Sequence, residues 1–182
     1  ISVDQVEAFG ADCQIPLADV PALLELEDFP HELPMSADAA LQTALKQKYK
    51  SMFGDRPLIG LAWRSFAKVR ADSKSIELTK MLAHLDGLDC VFVDLQYGDV
   101  DAEIALALKQ FPNVTWYKDP EIDQMRDFDR VAAQAAALDG LIGISSTITH
   151  IAGSVGLPAA MLVQPVTDKD LLWYWGFMDE AN

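Results

Sequence analysis

The stretch LIGISSTITHIAGSVGLPAAMLV, residues 141–163, sets Ser145, Ser146 and Thr147 in a row between two apolar runs, with His150 just behind them. Small hydroxyl residues that interrupt an apolar run, before the run resumes past Gly156 and Pro158, have the pattern of strand, short helix, strand. The hydroxyls then stand where the helix begins. Such an end presents backbone N–H groups without partners and about half a positive charge from the aligned peptide dipoles. Hydroxyls and N–H groups together could hold a phosphate there. His150 falls one turn in, on the side of Thr147 and away from Ile148 and Ile151, so it could reach the same anion. A plain helix cap beside a surface or half-buried histidine explains the same residues, and the stretch alone leaves these two readings level.

Charge supplies a second clue. The chain carries a formal net charge of −14 over 182 residues, and such a surface repels nucleic acid and anionic membranes. From Arg64 to Lys80 the trend reverses, with Arg64, Lys68, Arg70, Lys74 and Lys80 set against Asp72 and Glu77. A small basic island in an acidic protein suits a small anionic ligand better than a polyanion. A solvated loop whose charges pair with neighbouring carboxylates is the blander reading, and charge by itself slightly favours it.

The elements that would position these residues follow from periodicity. Pro16, Pro21, Pro30 and Pro34 break helix and sheet in residues 1–34, so this segment reads as extended and anchored by Leu17, Leu23, Leu24 and Phe29. Ser36 is expected to cap a helix running to Met52, with Leu41, Ala44, Leu45, Lys48 and Met52 on one stripe. Beyond Pro57 the pattern alternates. Apolar runs at 58–63, 90–95, 114–118, 141–144 and 159–163 read as buried strands. Helices are expected from Ser75 to about Gly87, over 101–110, over 128–138 and over 147–155. Five apolar strands joined by helices and short turns specify an α/β domain: a doubly wound, Rossmann-like parallel sheet of about five strands. The division is residues 1–54 as linker and connecting helix and 55–182 as the sheet domain. Trp116 and Tyr117 are strand residues, and His31 and His84 read as surface histidines.

Composition closes off other classes. With 51% hydrophobic residues the chain can build a packed core, and no apolar run approaches the ~20 residues that span a bilayer. The two cysteines, Cys13 and Cys90, fit no metal spacing, and Cys90 lies inside a strand-like run. A buried free thiol of this kind suggests a reducing, cytoplasmic setting. No Gly-x-Gly-x-x-Gly follows the first strand and no phosphate-loop Gly-Lys-Ser/Thr occurs, which disfavours NAD, FAD and phosphate-loop ATPase chemistry. The chain starts without Met and stops without a terminal element, so it is expected to be part of something longer.

LIGISSTITHIAGSVGLPAAMLVQP resembles the nucleotide-binding signature of heptosyltransferase-like glycosyltransferases of the two-domain GT-B architecture, most of all the C-terminal region of bacterial tetratricopeptide-repeat proteins of that group. QIPLADVPALL, ELPMSAD, IGLAW, KSIEL, DLQYGD and RDFDRVAAQAAALDGLIGIS accompany it in the family's order. The resemblance implies a domain that binds a nucleoside diphosphate sugar as substrate, with the acceptor site and catalytic base on a separate N-terminal domain and no metal in this one. Carried over by position, Ser145, Ser146, Thr147 and His150 would hold the donor diphosphate with Arg64 and Lys68, while Gln96, Asp127 and Phe128 would lie near the ribose and base. Three departures stand out. Ser145 replaces the signature's Asp, Arg64-Ser65-Phe66 replaces a run of small residues, and DKDLLWYWGF lacks the family's Arg. They leave room for another reading, a catalytically inactive scaffold or interaction module on the same fold.

Overall fold

The structure is a computed structural model, and it describes residues 35–67 and 71–163. The N-terminal segment expected to be extended, with Cys13 and His31, the basic residues Lys68 and Arg70, and the aromatic run 171–177 lie outside the described residues.

Eleven elements follow in order: α1 (Ala39–Phe53), β1 (Leu58–Ala62), α2 (Ala71–Lys74), α3 (Leu78–Leu85), β2 (Val91–Asp94), α4 (Asp101–Gln110), β3 (Thr115–Tyr117), α5 (Phe128–Ala136), β4 (Gly140–Ile144), α6 (Thr147–Ser154) and β5 (Ala159–Leu162). The strands form one sheet in the order β3-β2-β1-β4-β5, with every pairing parallel. The chain therefore winds outward from β1 to β3, returns across the sheet, and continues outward from β4 to β5. This is the doubly wound α/β architecture, and the winding reverses between β1 and β4.

Each face has its own core. Leu61, Trp63 and Phe92 pack with Leu78, Leu82 and Ile104 of α3 and α4 on one face. Ala62, Val91, Val93 and Leu141 pack with Leu45 of α1, Val131 of α5 and Ile151 of α6 on the other. Alternation along each strand sends successive side chains to opposite helical layers, so both faces must be apolar.

Several local details differ from the sequence expectation. Asp38, not Ser36, caps α1: its Oδ1 accepts the Leu41 N–H at 2.8 Å. The inward stripe of α1 ends on Tyr49, which is fully buried, while Met52 is half exposed. Ser75 does not start a helix; its hydroxyl donates to Ala71 O at 2.7 Å, closing the single turn of α2. The first N–H of α3, on Leu78, is instead satisfied from α4 by Glu103 Oε1 at 3.1 Å.

Two buried polar clusters fix the sheet's carboxyl edge. Past β3, Asp119 is 3% exposed and accepts from Lys48 Nζ at 2.9 Å and Tyr49 Oη at 2.9 Å, while Tyr49 Oη in turn accepts from Gln134 Nε2 at 3.0 Å. That chain of bonds ties α1 to α5. At the end of β2, Asp94 is 2% exposed; its Oδ1 accepts the Gln96 N–H at 2.9 Å and its Oδ2 is buried without a partner. Burial, only partly offset by the Gln96 N–H and Lys118, pushes the Asp94 carboxyl up to about 6.

Because the folded chain holds the Asp94 proton more tightly than an unfolded one would, the carboxyl favours folding at low pH, and this contribution disappears as pH rises through about 6. Asp94→Asn keeps an oxygen for the Gln96 N–H and cannot ionise. Denaturant titrations at pH 5 and pH 8 are expected to show wild type losing about 1–2 kcal/mol relative to the variant over that interval. Parallel pH profiles for the two proteins would contradict an ionisable buried acid at this position.

Candidate functional site

The reversal between β1 and β4 decides what can meet at the carboxyl edge. Ala62 pairs with Gly143, so the chain leaving β1 at Trp63 and Arg64 emerges next to the chain leaving β4 at Ser145 and Ser146. The contact is close. A Cβ on residue 143 would stand 3.1 Å from Ala62 O and 3.4 Å from Thr149 Oγ1, so glycine lets α6 start directly against β1. Thr149 Oγ1 donates to Ile144 O at 2.7 Å and turns the strand end into the helix.

Ser146 takes the N-cap position in extended backbone, and its carbonyl accepts from Thr149 N at 3.1 Å. Its hydroxyl does not close the cap: Ser146 Oγ is buried and has no hydrogen-bond partner. No acidic residue occupies the first turn of α6. This end of the helix is therefore neither capped by the Ser146 side chain nor neutralised by a neighbouring carboxylate of its own turn, which leaves its dipole available to an anion. Thr147 and His150 are exposed, while Ile148, Thr149 and Ile151 are buried, as the helical spacing requires.

Cations approach from the β1 side. Surrounding protein, and then the charge of Lys74 at the end of α2, hold the His150 imidazole below its ordinary range. Lys74 is thus near His150. Lys74 belongs to the basic island of the sequence, which carried no site assignment for it. Arg64 behaves differently. Its Nε lies 2.9 Å from Glu103 Oε2, an ion pair without hydrogen-bond alignment, and the side chain is 42% exposed. Glu103 belongs to α4, so this pair draws Arg64 toward β2 and away from β4.

Gln96, expected near ribose or base, is spent on the backbone. It is 4% exposed; its Oε1 accepts from Trp63 N at 2.9 Å and Arg64 N at 2.8 Å, and its Nε2 donates to Arg64 O at 3.0 Å and Tyr97 O at 2.8 Å. All its bonding capacity staples the loop after β1 to the loop after β2, leaving none for a ligand. Asp127 caps α5 by accepting from Arg130 N at 3.1 Å. Phe128, the first residue of that helix, is 53% exposed. A cavity of about 120 Å³ between α1 and α5 is lined in part by Leu41, Lys48, Glu121, Ile122 and Arg130, and Arg130 also pairs with Asp127 at 3.3 Å. The cavity's polar rim is closed by Lys48 pairing with Glu121 at 2.6 Å.

In open parallel α/β sheets, ligands bind beyond the carboxyl ends of the strands, at the point where the winding reverses. Solved structures narrow the fold. The glycosyl transferase family 9 protein from Veillonella parvula matches with a TM-score of 0.59 over 82% of this chain and 42% of its own, at 16% identity. E. coli ADP-heptose LPS heptosyltransferase II matches with a TM-score of 0.53 over 80% of this chain and 44% of its own, also at 16% identity. The chain has the fold of somewhat less than half of such a glycosyltransferase. Protein FlbA of Caulobacter vibrioides is 40% identical over 114 residues, which make up 60% of this chain and 18% of that protein. No protein-family model matches the chain. Among the described residues no helix is long and apolar enough to cross a membrane.

Removing the Lys74 charge tests whether it acts on His150. In Lys74→Ala the His150 pKa, followed by NMR titration of its ring protons, is expected to rise toward the ordinary imidazole range. A titration midpoint unchanged from wild type would mean that the Lys74 charge does not act on His150 in solution.

Proposed function

We propose that this chain is the donor-binding part of a glycosyltransferase that uses a nucleoside diphosphate sugar, with the diphosphate at the start of α6. The observation that carries the reading is the uncapped first turn of α6, with Ser146 Oγ buried and unpartnered. The proximity of Lys74 to His150 and the emergence of the β1 loop alongside support it. Thr147, His150, Ser145 and Lys74 would surround the phosphates. Lys68, beyond the described residues, and Arg64, if released from Glu103, would add charge from the same loop. In sugar transfer the leaving group is the nucleoside diphosphate, and donors aimed at its growing negative charge lower the barrier. Asp127 and Phe128 at the start of α5 remain candidates for contact with the ribose and base, whereas Gln96 acts through the loops it joins. The acceptor site and the catalytic base would belong to another part of the parent polypeptide, together with any tetratricopeptide repeats. A reducing, cytoplasmic setting suits the buried free thiol of Cys90.

The second reading, a scaffold that retains the fold without transfer, draws on Ser145 in place of an acid and on the diversion of Arg64 to Glu103. Binding separates the two. Calorimetry of the intact protein with UDP, GDP and ADP is expected to detect at least one, and Thr147→Glu to weaken it by roughly 1.5–3 kcal/mol by placing a carboxylate at the phosphates. The depressed His150 should regain a proton as the anion binds, so affinity is expected to increase as pH falls from 7.5 toward 6, with proton uptake visible between buffers of different ionisation enthalpy. No binding of any of the three by the intact protein would overturn the donor-site reading in favour of the scaffold.

A further inference from the structure

Phe66, three residues beyond Trp63, is a large apolar side chain left 46% exposed at the sheet's carboxyl edge. It is exposed but firmly held. Its N–H donates to Tyr97 Oη at 3.1 Å, and its ring meets the Tyr97 ring edge to face, with centroids 5.4 Å apart and planes at 61°. Its lower edge rests on Gly98: a Cβ there would lie 2.5 Å from Phe66 Cε2 and 2.8 Å from Cζ. Gly98 also has φ 87°, a backbone conformation that L side chains rarely adopt. The backbone that leads into it is pinned, since Gln96 holds Arg64 through N and O, and Ser75 Oγ accepts from Ser65 N at 3.0 Å. The result is an aromatic ring fixed from below and from one side, with about half of the residue open to solvent.

Position gives this ring a use. It leans toward the loop after β2, two strands over from β4 in the order β2-β1-β4. At the usual strand spacing that is about 10 Å from the start of α6, along the same edge of the sheet. A diphosphate seated at α6 and extended across β1 would bring one of its two attached rings to this distance. Flat base faces and the C–H faces of sugars both stack on exposed aromatic side chains.

We infer that Phe66, seated on Gly98 and braced by Tyr97, is the stacking platform for a ring joined to the diphosphate, either the nucleobase or the sugar. This rests on the donor-site reading above. It assigns ring recognition to the β1 loop, where Phe66 stands at a position that the resembling family fills with small residues.

The test compares three probes on the intact protein by calorimetry: inorganic pyrophosphate, the nucleoside diphosphate that binds best, and its sugar conjugate. Phe66→Ala is expected to leave pyrophosphate affinity within about twofold and to weaken a ring-bearing ligand about tenfold, the loss typical of one aromatic stack. A loss already present with the nucleoside diphosphate assigns the base to Phe66, and one confined to the conjugate assigns the sugar. Phe66→Trp should retain binding, and Gly98→Ala, which dislodges the ring without touching the ligand, should reproduce the loss. An equal loss for all three probes, or no loss for any, would overturn the platform. If wild type binds none of the three, the donor-site reading falls and the platform with it; if pyrophosphate binds and Phe66→Ala is silent on the others, only the platform falls.

Discussion

The pairing of β1 with β4 is the constraint on which the site depends. Parallel strands all present their carboxyl ends to one edge, and only where the winding reverses do two neighbouring strands send their exit loops apart and leave a crevice. In this chain the reversal falls between β1 and β4, and Gly143 allows the next helix to begin almost against the β1 backbone. The start of α6 is therefore packed closely against the β1 strand, with Thr147 and His150 exposed. Its partial positive charge is held where a ligand could use it, within a protein of net charge −14. That acidity makes the local balance matter, and the first turn of α6 holds no acidic residue.

Polar side chains buried at the same edge serve a different end. Gln96 saturates four backbone groups of the two loops flanking β1 and β2, and Asp119 gathers Lys48 and Tyr49 beneath the loop after β3. Burial by itself would raise the Asp119 carboxyl, yet the Lys48 ammonium, the Glu121 N–H and the Tyr49 hydroxyl outweigh it and keep the group below its usual range. Loops that leave a sheet cannot satisfy their backbone within the ladder, and buried amides and carboxylates supply the missing partners. Asp94 does this incompletely, with one oxygen bonded and one orphaned, and its raised pKa records the cost.

Much of the architecture was legible in the sequence, because five apolar runs bounded by glycines and short polar turns admit few arrangements other than a covered parallel sheet. The solvent-facing placement of Thr147 and His150 followed from helical spacing alone. What escaped were pairings between residues far apart in the chain. Nothing near Arg64 announces that Glu103, on the third helix after it, pairs with it. Nothing near Gln96 shows that its amide closes on Trp63 and Arg64. Lys74 joined the site through a single turn of helix too short to register as a period. At α1 the expected cap was Ser36, and Asp38 takes the place because its carboxylate lies three residues before the Leu41 N–H it accepts.

The account reduces to whether the amides opening α6 bind a phosphate. Backbone amide shifts of Thr147 and Ile148, followed by NMR as inorganic pyrophosphate is added to the intact protein, test this most directly. Saturable downfield movement of these two amides, larger than that of any amide elsewhere in the chain, is the result expected. Pyrophosphate that leaves them unmoved, or that shifts amides at another edge of the sheet instead, would contradict the central claim.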